Sequence, residues 1–526
     1  MKKIYLILFT LFAAIVGMAY LYFSKLNQET TYKETSLYAA TANSGLVFCI
    51  QNDQSIFDIL KGQDFFQKLI GQEKFNQLSL LKNKLTASPA INNLIDNRKI
   101  FISFSAGKNK EIDFLISTQL NDELAKPKLF NALKSNGVNM SQEKGIMKLV
   151  LNDSTAFYLN VEKNLIMLSN SPVPVKAATA AISNAENNQF AAYIKSSNKF
   201  SKNSLGNLYI DFNKIPALLK SILPGHLNGS LSVLNQLNSF ASLNYNFSKE
   251  RLFFNGGSQL SDQKNYLTLF AALTPQKNNI DNLLPEHTAN FQLYAMTDYA
   301  AWRKELNNWF IWNKEDQKIK NTIKSFNKEY HLDAEKIFPV YFQNQLISFQ
   351  LKSAENLSAI NLTNGDKVKQ LLLDMSDDYS PEIKRFKKSG LLYCYFGEPF
   401  QSFSRPYYTI IDNYMVFSNQ PGALQSFLNA YHTNKLLINT LDYINIYSQI
   451  SKTANITYYV NRKNSEYLVR KTIYTPYYNH FIKKQGLEQF TSFVYQLSGD
   501  KSAFQTNLLI NTMPGTVKDT TENLIN

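Results

Sequence analysis

Cysteine and histidine, the usual residues of metal and redox sites, are scarce in this chain of 526 residues. The two cysteines, Cys49 and Cys394, are too few for a disulfide framework and belong to no metal-like cluster. Both lie in apolar runs, so we expect buried thiols in strands, with a single bridge between them as the alternative. The five histidines are far apart in the sequence. The sequence therefore predicts no metal site.

Motifs that carry catalysis or cofactor binding are also lacking. The sequence contains no H-E-x-x-H, no P-loop, no G-x-G-x-x-G and no G-x-S-x-G. We therefore predict no catalytic residue, no cofactor-binding residue and no cofactor. The net charge of +14 is spread along the chain and forms no basic tail, which argues against nucleic acid as a partner.

The chain is long and rich in apolar residues. With 44% hydrophobic, 13% aromatic and 18% charged residues, it can bury enough apolar surface to fold. A single hydrophobic core stops growing at about 250–300 residues. We therefore expect two or more domains.

The N-terminus carries a targeting signal. Residues 4–23 read IYLILFTLFAAIVGMAYLYF, without a charge or a proline, and a helix of that length crosses a bilayer. We predict a transmembrane signal-anchor helix over 4–23, a cytoplasmic N-terminus over residues 1–3 and a linker over 24–36. The protein would then be a single-pass inner-membrane protein with its bulk in the periplasm. The alternative is a secreted protein, cleaved near Ala19.

The charge of the exported part indicates what it can bind. On this interpretation it carries 55 − 2 = 53 basic residues against 41 acidic residues, a net charge of +12. Besides the membrane itself, contacted through residues 4–23, the candidate partners are an anionic envelope polymer, a lipid headgroup or another envelope protein.

A short motif occurs twice. EKNLIMLSNSP, residues 162–172, matches IDNYMVFSNQP, residues 411–421, with Asn164 opposite Asn413 at a shift of 249 positions. In both copies we expect two strands that meet at a tight turn, followed by a helix with proline in its first turn. The Ser-Asn pair that ends the second strand is expected to cap this helix.

Further blocks match in the same order along the chain. Their shifts lie between 245 and 250 positions, and one of them pairs IMKLVL after Gly145 with LLYCYF after Gly390. Such a series predicts a tandem duplication, with a first α+β repeat over residues 37–280 and a second over residues 285–526.

These observations predict an α+β fold with an N-terminal transmembrane helix and two tandem homologous halves. Each half is expected to have a mainly antiparallel sheet with packed helices. The anchor followed by two copies of the hairpin-to-helix motif resembles a family of membrane-anchored bacterial envelope proteins of unknown function. The resemblance implies an envelope location and a duplicated fold, and it supplies no catalytic residue.

Basic and aromatic residues are interleaved in one stretch of the second half. Together they can hold an acidic polymer by ion pairing and stacking, and the alternative is a solvated charged face. The first half has no matching charge, so a binding role would belong to the second half alone. The predicted partner-binding residues are Arg462, Lys463, Tyr467, Arg470, Lys471, Tyr474, Tyr477, Tyr478, Lys483 and Lys484.

The sequence thus predicts a membrane-anchored, extracytoplasmic binding or scaffolding protein of the cell envelope, without enzymatic activity. Two alternatives from other classes stay open. An envelope hydrolase would need clustered polar groups with perturbed pKa values in a pocket. A lipid carrier would need a continuous apolar cavity inside one half.

Overall fold

The computed structural model describes most of the chain between residues 34 and 512. The residues described are 34–51, 76, 80, 89–95, 98–108, 110–143, 145–152, 155–183, 187–197, 206–225, 239–246, 251–260, 264–482, 488 and 490–512. Within them, no helix combines the length and the apolar content that crossing a membrane requires. The predicted transmembrane helix over 4–23 lies outside the described residues.

The described strands fall into one large antiparallel sheet and one separate short pair. In chain order they are β1 Leu46–Gln51, β2 Lys99–Ala106, β3 Ile112–Gln119, β4 Asn139–Glu143, β5 Ile146–Asn152, β6 Thr155–Glu162, β7 Leu165–Ser169, β8 Asn207–Asp211, β9 Ser239–Asn246, β10 Arg251–Leu260, β11 Gln276–Lys277, β12 Thr288–Ala295, β13 Phe342–Leu351, β14 Asn356–Leu362, β15 Ser376–Asp378, β16 Lys384–Phe386, β17 Tyr407–Ile411, β18 Tyr414–Ser418, β19 Thr453–Ala454, β20 Ile456–Asn461, β21 Phe490–Asp500 and β22 Ala503–Thr512. Strands β11 and β19 form the separate pair.

The other 20 strands lie side by side in a single sheet. Their order is β4-β5-β6-β7-β3-β2-β1-β8-β9-β10-β22-β21-β20-β12-β13-β14-β18-β17-β16-β15. Outward from the central β10–β22 pair, each strand has a counterpart at the same distance on the other side. The repeat boundaries themselves, 37–280 and 285–526, stay a prediction.

The prediction of two halves with a sheet each is wrong, because the halves share this one sheet, although the predicted α+β mixture is confirmed. Strands β10 and β22 pair over eight positions, from Arg251 opposite Asn511 to Ser258 opposite Phe504. An edge strand presents a row of free N–H and C=O groups. Pairing the last strand of one half with the last strand of the other satisfies both edges at once.

Helices cover both faces of the sheet. They are α1 Thr35–Thr41, α2 Pro89–Leu94, α3 Lys126–Ser135, α4 Pro172–Ile182, α5 Gln189–Ser197, α6 Ile215–Ile222, α7 Thr268–Ala271, α8 Tyr299–Trp312, α9 Asp316–Tyr330, α10 Ala334–Ile337, α11 Gly365–Leu371, α12 Leu391–Phe396, α13 Pro421–His432, α14 Leu441–Tyr447, α15 Glu466–Thr472 and α16 Thr475–Ile482. In the second half, the face on which Tyr294 and Tyr458 pack with α8, α9 and α12 is called the front face. The back face carries Phe291 and Tyr459 under α13 and α14.

Both copies of the repeated motif form the predicted hairpin and helix. The turns lie at Lys163 and Asp412, whose φ angles are 51° and 50°, and the helices begin at Pro172 and Pro421. The predicted cap is wrong, because helix α4 is capped by Ser171 and helix α13 has no side-chain cap.

The reason lies in the serine that ends each motif strand. The Ser169 hydroxyl donates a hydrogen bond to the Phe114 carbonyl at 2.5 Å, and the Ser418 hydroxyl donates to the Asn356 carbonyl at 3.2 Å. Each hydroxyl therefore donates to the neighbouring strand and accepts from the backbone N–H two residues later, of Ser171 or Gln420, so it closes the strand end and does not reach the N–H groups inside the helix.

One matched block folds differently in the two halves. IMKLVL after Gly145 is in strand β5, whereas LLYCYF after Gly390 forms helix α12. The counterpart of β5 in the strand order is β16, so this match does not align equivalent strands. The second half therefore carries residues 387–406 between β16 and β17, where the first half joins β5 to β6 through residues 153–154.

Candidate functional site

The predicted partner-binding stretch begins with a buried cation. Arg462 follows strand β20 and is 6% exposed, and its guanidinium lies 5.6 Å from the ring centre of Phe481. The repeat aligns it, at a shift of 248 positions, with Lys214, which is half-buried and whose Nζ lies 3.2 Å from the Thr41 carbonyl oxygen. Arg462 therefore packs inside the protein and is not part of an open contact surface.

Two of the predicted tyrosines contact the first half of the chain. The Tyr477 hydroxyl donates a hydrogen bond of 2.9 Å to the Lys110 carbonyl, and the Lys110 ammonium lies 3.9 Å from the ring centre of Tyr474. The Tyr474 N–H also donates to the Ile222 carbonyl at 2.9 Å. These residues fasten helices α15 and α16 to the first half.

The rest of the stretch is more open. Lys463, Tyr467, Arg470 and Lys471 are exposed, with the Lys471 ammonium 4.3 Å from the Tyr467 ring centre, and Tyr478 is half-buried. Lys483 and Lys484 lie outside the described residues. The structure therefore brings four of the ten predicted residues onto an exposed surface.

A different group of side chains, which the sequence did not single out, crosses five strands of the second half. Tyr495 of β21 pairs with Tyr458 of β20, Tyr458 with Gln292 of β12, Gln292 with Ser348 of β13, and Ser348 with Ser358 of β14. Directly paired residues of antiparallel strands share a face, so these five side chains form one row on the front face. We call them the polar row. Four of the side chains are buried, and Tyr495 is half-buried.

Several polar atoms of this region have no hydrogen-bond partner among the described residues. They are Nε2 of Gln292, the hydroxyl of Tyr458 and, two residues before Gln292 on the same strand, Oδ1 of Asn290. A buried polar atom without a partner costs about 1–3 kcal/mol. Ser348 and Ser358, by contrast, share a hydrogen bond of 2.6 Å. The Gln292 amide and the Tyr458 hydroxyl lie close enough to interact with each other, without a hydrogen bond of good geometry, and Oδ1 of Asn290 has no partner among the described residues.

The first half has an apolar row across the corresponding strands. Across strands β9, β8, β1, β2 and β3, the directly paired residues are Leu243, Leu208, Phe48, Ile102 and Ile116. We call this set the apolar row. The two rows occupy the same strands in the order counted from the centre of the sheet, so the polar chemistry belongs to the second half alone.

The polar row is covered by part of the extra residues between β16 and β17, namely residues 397–403, which we call the cover segment. The Ser348 hydroxyl donates to the Pro399 carbonyl at 3.2 Å. Phe400 is fully buried, 5.7 Å between ring centres from Phe417, the residue that continues the row on β18. The segment begins at Gly397 with φ of +68°, and a Cβ there would lie 2.6 Å from a ring carbon of Tyr266, which favours glycine.

The cover segment also carries an unpaired carboxyl group. Glu398 is half-buried and has no side-chain hydrogen bond or ion pair among the described residues. Burial, and after it the carboxylate of Glu315, raises the pKa of Glu398 to about 7. Glu315 itself accepts a hydrogen bond of 2.5 Å from the Tyr393 hydroxyl. Near neutral pH, Glu398 is therefore divided between its protonated and ionised forms.

Within the polar row, the Tyr458 phenol keeps its proton. Burial raises the pKa of Tyr458 well above its usual value, the Gln292 side chain opposes this rise by hydrogen bonding, and Tyr495 and Glu398 add to it. Because it is protonated, the Tyr458 hydroxyl can donate as well as accept. Among the described residues, no cluster of three or more metal-ligating side chains accompanies this row. The arrangement can hold an uncharged polar group.

A weak signal for the row was present in the sequence. Strand β12, Thr288–Ala295, has the sequence TANFQLYA, in which polar Asn290 and Gln292 alternate with apolar Phe291 and Leu293. Such alternation usually indicates a strand with one solvated face. Residues distant in sequence, namely helices α8, α9 and α12 and the cover segment, turn that polar face into a buried one.

Comparison with known proteins adds no relative: no family model matches the chain, and neither a curated protein nor a solved structure is significantly similar to it. The resemblance to envelope proteins of unknown function therefore stays a prediction.

Proposed function

We propose that the protein is a binding protein whose ligand site is the polar row beneath the cover segment. The observation that carries this proposal is the set of buried, unpartnered atoms on Gln292, Tyr458 and Asn290 in a row whose counterpart is apolar. A scaffold alone would gain stability from apolar residues at these positions, because an unpaired buried polar atom is unfavourable. A ligand that supplies the missing partners accounts for them.

The chemistry of the row favours an uncharged ligand that carries hydroxyl and amide groups. Gln292 offers a donor, Asn290 an acceptor, and Tyr458 a hydroxyl that serves as either. Aromatic rings of Tyr294 and Phe400 belong to the same core and offer apolar contact. An N-acetylated sugar combines hydroxyl, amide and apolar surfaces, and we propose this class of ligand.

Entry to the row requires movement of the cover segment. The hydrogen bond from Ser348 to the Pro399 carbonyl joins that segment to β13, and Glu398 lies in it half-buried. Ligand binding would therefore compete with closure of this segment, and part of the binding free energy would be spent on opening it.

The test is calorimetric titration of the full chain with the neutral disaccharide of N-acetylglucosamine. We expect saturable binding that is weakened about tenfold in Gln292→Met, since one lost hydrogen bond is worth about 1.4 kcal/mol. Gln505→Met makes the same change at an exposed position of β22 and should bind as the wild type does. Equal affinities of wild type and Gln292→Met, or no saturable binding to the wild type, would contradict the proposal.

The location outside the cytoplasm remains part of this proposal and rests on the apolar sequence of residues 4–23. On the same basis, exposed Lys463, Arg470 and Lys471 stay a proposed contact for an anionic envelope polymer. Replacing these three residues by alanine should weaken retention of the chain on envelope extracts. Unchanged retention would remove this surface from the proposal.

A second candidate is an envelope hydrolase, favoured by Glu398. A carboxyl group with a pKa near 7 and a second carboxylate close to it are the requirements for general acid catalysis of glycoside cleavage. This candidate predicts slow release of monosaccharide from the disaccharide, abolished in Glu398→Gln. Binding without release by the wild type would leave the binding protein as the function.

A further inference from the structure

The turn between helices α8 and α9 exposes two large apolar side chains. Ile311 is 53% exposed and Trp312 is 40% exposed, at the end of α8, and both are adjacent in sequence. The other tryptophans of the same helix, Trp302 and Trp309, are 1% and 3% exposed. The helix therefore buries two of its indoles and presents the third to the surroundings, which is unfavourable in water alone.

The charges around this pair are mainly positive. Lys304, Lys314 and Lys318 are exposed and take part in no ion pair among the described residues. The nearby acidic groups are largely occupied or remote. Asp316 is paired with Lys320 at 3.3 Å, and Glu315 points to the Tyr393 hydroxyl.

Glu305 is the opposing exposed charge on the same helix. It faces Asn308, whose amide lies 3.3 Å from its carboxylate. Glu305 and Glu315 have no cation partner among the described residues, so the three unpaired lysines beside Ile311 and Trp312 leave a net charge of 3 − 2 = +1. We call Ile311, Trp312 and these three lysines the α8–α9 tip.

We infer that the α8–α9 tip contacts a lipid bilayer that carries anionic headgroups. Tryptophan favours the membrane–water interface, and each lysine near an anionic surface strengthens binding. In this contact the Trp312 indole would lie at the level of the lipid headgroups, and the lysine ammonium groups would lie beside the lipid phosphates. This contact is separate from the polar row and does not depend on the proposed ligand.

Tryptophan fluorescence of the full chain tests the contact directly. The sequence holds three tryptophans and none of them lies in residues 1–33, so insertion of the N-terminal apolar run gives no signal of its own. Because Trp302 and Trp309 are buried, a change in emission on adding vesicles reports Trp312. Vesicles of phosphatidylcholine with phosphatidylglycerol would be compared with vesicles of phosphatidylcholine alone.

We expect a blue shift and protection from iodide quenching with the anionic vesicles, and neither change in Trp312→Phe. Lys314→Ala combined with Lys318→Ala should weaken the partition constant about fivefold for each lysine. Lys435→Ala combined with Lys452→Ala removes the same net charge at exposed positions elsewhere and should bind as the wild type does.

Three results would overturn the inference. The first is unchanged Trp312 emission with anionic vesicles. The second is that the contact shows no specific electrostatic role. This would be seen if neutral and anionic vesicles gave the same Trp312 response, or if both double-lysine variants lost the same amount of vesicle binding. The third is a blue shift that appears on raising the protein concentration without lipid, since a second copy of the chain would then cover the tip.

Discussion

The polar row and the apolar row cross corresponding strands of one sheet and have opposite chemistry. Gln292 lies between Tyr458 and Ser348 in the second half, and Phe48 lies between Leu208 and Ile102 in the first. A β-sheet accepts either set, because the same ladder of backbone hydrogen bonds forms beneath both kinds of side chain. The backbone therefore does not account for the difference, and the ligand binding proposed for the second half would account for it.

The two halves also differ in the length of one connection between strands. Residues 153–154 join β5 to β6 in the first half, whereas residues 387–406 join β16 to β17 in the second and include helix α12 and the cover segment. The extra residues bring Glu398 and the Pro399 carbonyl to the polar row. The polar side chains and the segment that buries them thus occur together, in one half only.

The largest expected effect disturbs strand β10, which joins the first half to the second, at its contact with the neighbouring strand β9. A methyl group at Gly256 of β10 would overlap the Ser242 carbonyl oxygen, so Gly256→Ala should lower the free energy of unfolding by about 3 kcal/mol. Gly257→Ala is the matched control, because its Cβ would meet only the Phe504 carbonyl oxygen at 3.8 Å. Urea unfolding of both variants measures the difference, and equal stabilities would contradict the close approach of β9 to β10 at Gly256.

The next effect concerns pH and the cover segment. The pKa of Glu398 is raised from 4.5 to about 7, first by burial and then by Glu315, so the folded chain holds this proton more tightly than the unfolded chain. The resulting stability is fully present below about pH 4.5 and is lost as the pH rises through 7. We expect a loss of up to about 3 kcal/mol over this interval.

Glu398→Gln should lack that part of the pH dependence. Urea unfolding of wild type and variant at several pH values gives the difference, which isolates Glu398 from other buried carboxyl groups such as Asp281. A difference that does not change with pH would show that Glu398 keeps an ordinary pKa.

A smaller effect sharpens the comparison between the rows. Phe48→Gln places an amide in the apolar row and should lower the free energy of unfolding by about 1–2 kcal/mol, since a half-buried aromatic ring is lost. Gln292→Met makes the reverse change and should be neutral or slightly stabilising, because it removes an unpartnered buried amide. Thermal unfolding of the two variants compares them, and a large loss in Gln292→Met would mean that the polar row is structural.

The smallest effect concerns the contact between helix α16 and the first half. Tyr477→Phe removes the hydrogen bond to the Lys110 carbonyl and should cost about 0.5–1 kcal/mol. Tyr478→Phe changes a half-buried neighbour without a side-chain hydrogen bond among the described residues, and should change stability less. Equal losses measured by urea unfolding would argue against this contact.

Local structure was predictable from the sequence and long-range pairing was not. The hairpins at Lys163 and Asp412 and the proline-led helices follow from turn chemistry and apolar pattern within a few residues. The joining of β10 to β22 brings together Phe254 and Leu508, which no local pattern relates. The repeat also misaligned IMKLVL with LLYCYF, because both are short apolar runs that suit a buried strand or a buried helix.

The candidate site was missed for a related reason. The basic–aromatic stretch stands out in the sequence because its charges are clustered, yet Arg462 and Tyr477 are used inside the fold. Gln292 and Ser348 carry no charge and lie far apart in sequence, so only strand pairing brings them together. Their burial depends on Pro399 and Phe400, which come from yet another part of the chain.

The central claim is that ligand binds at the polar row and not at its apolar counterpart. Hydrogen–deuterium exchange of the full chain, with and without saturating N-acetylglucosamine disaccharide, tests it by comparing the same strand positions in the two halves. We predict added protection in β12, β13 and residues 397–403, and none in β1 and β2. Equal protection in both halves, or protection confined to β1 and β2, would contradict the claim.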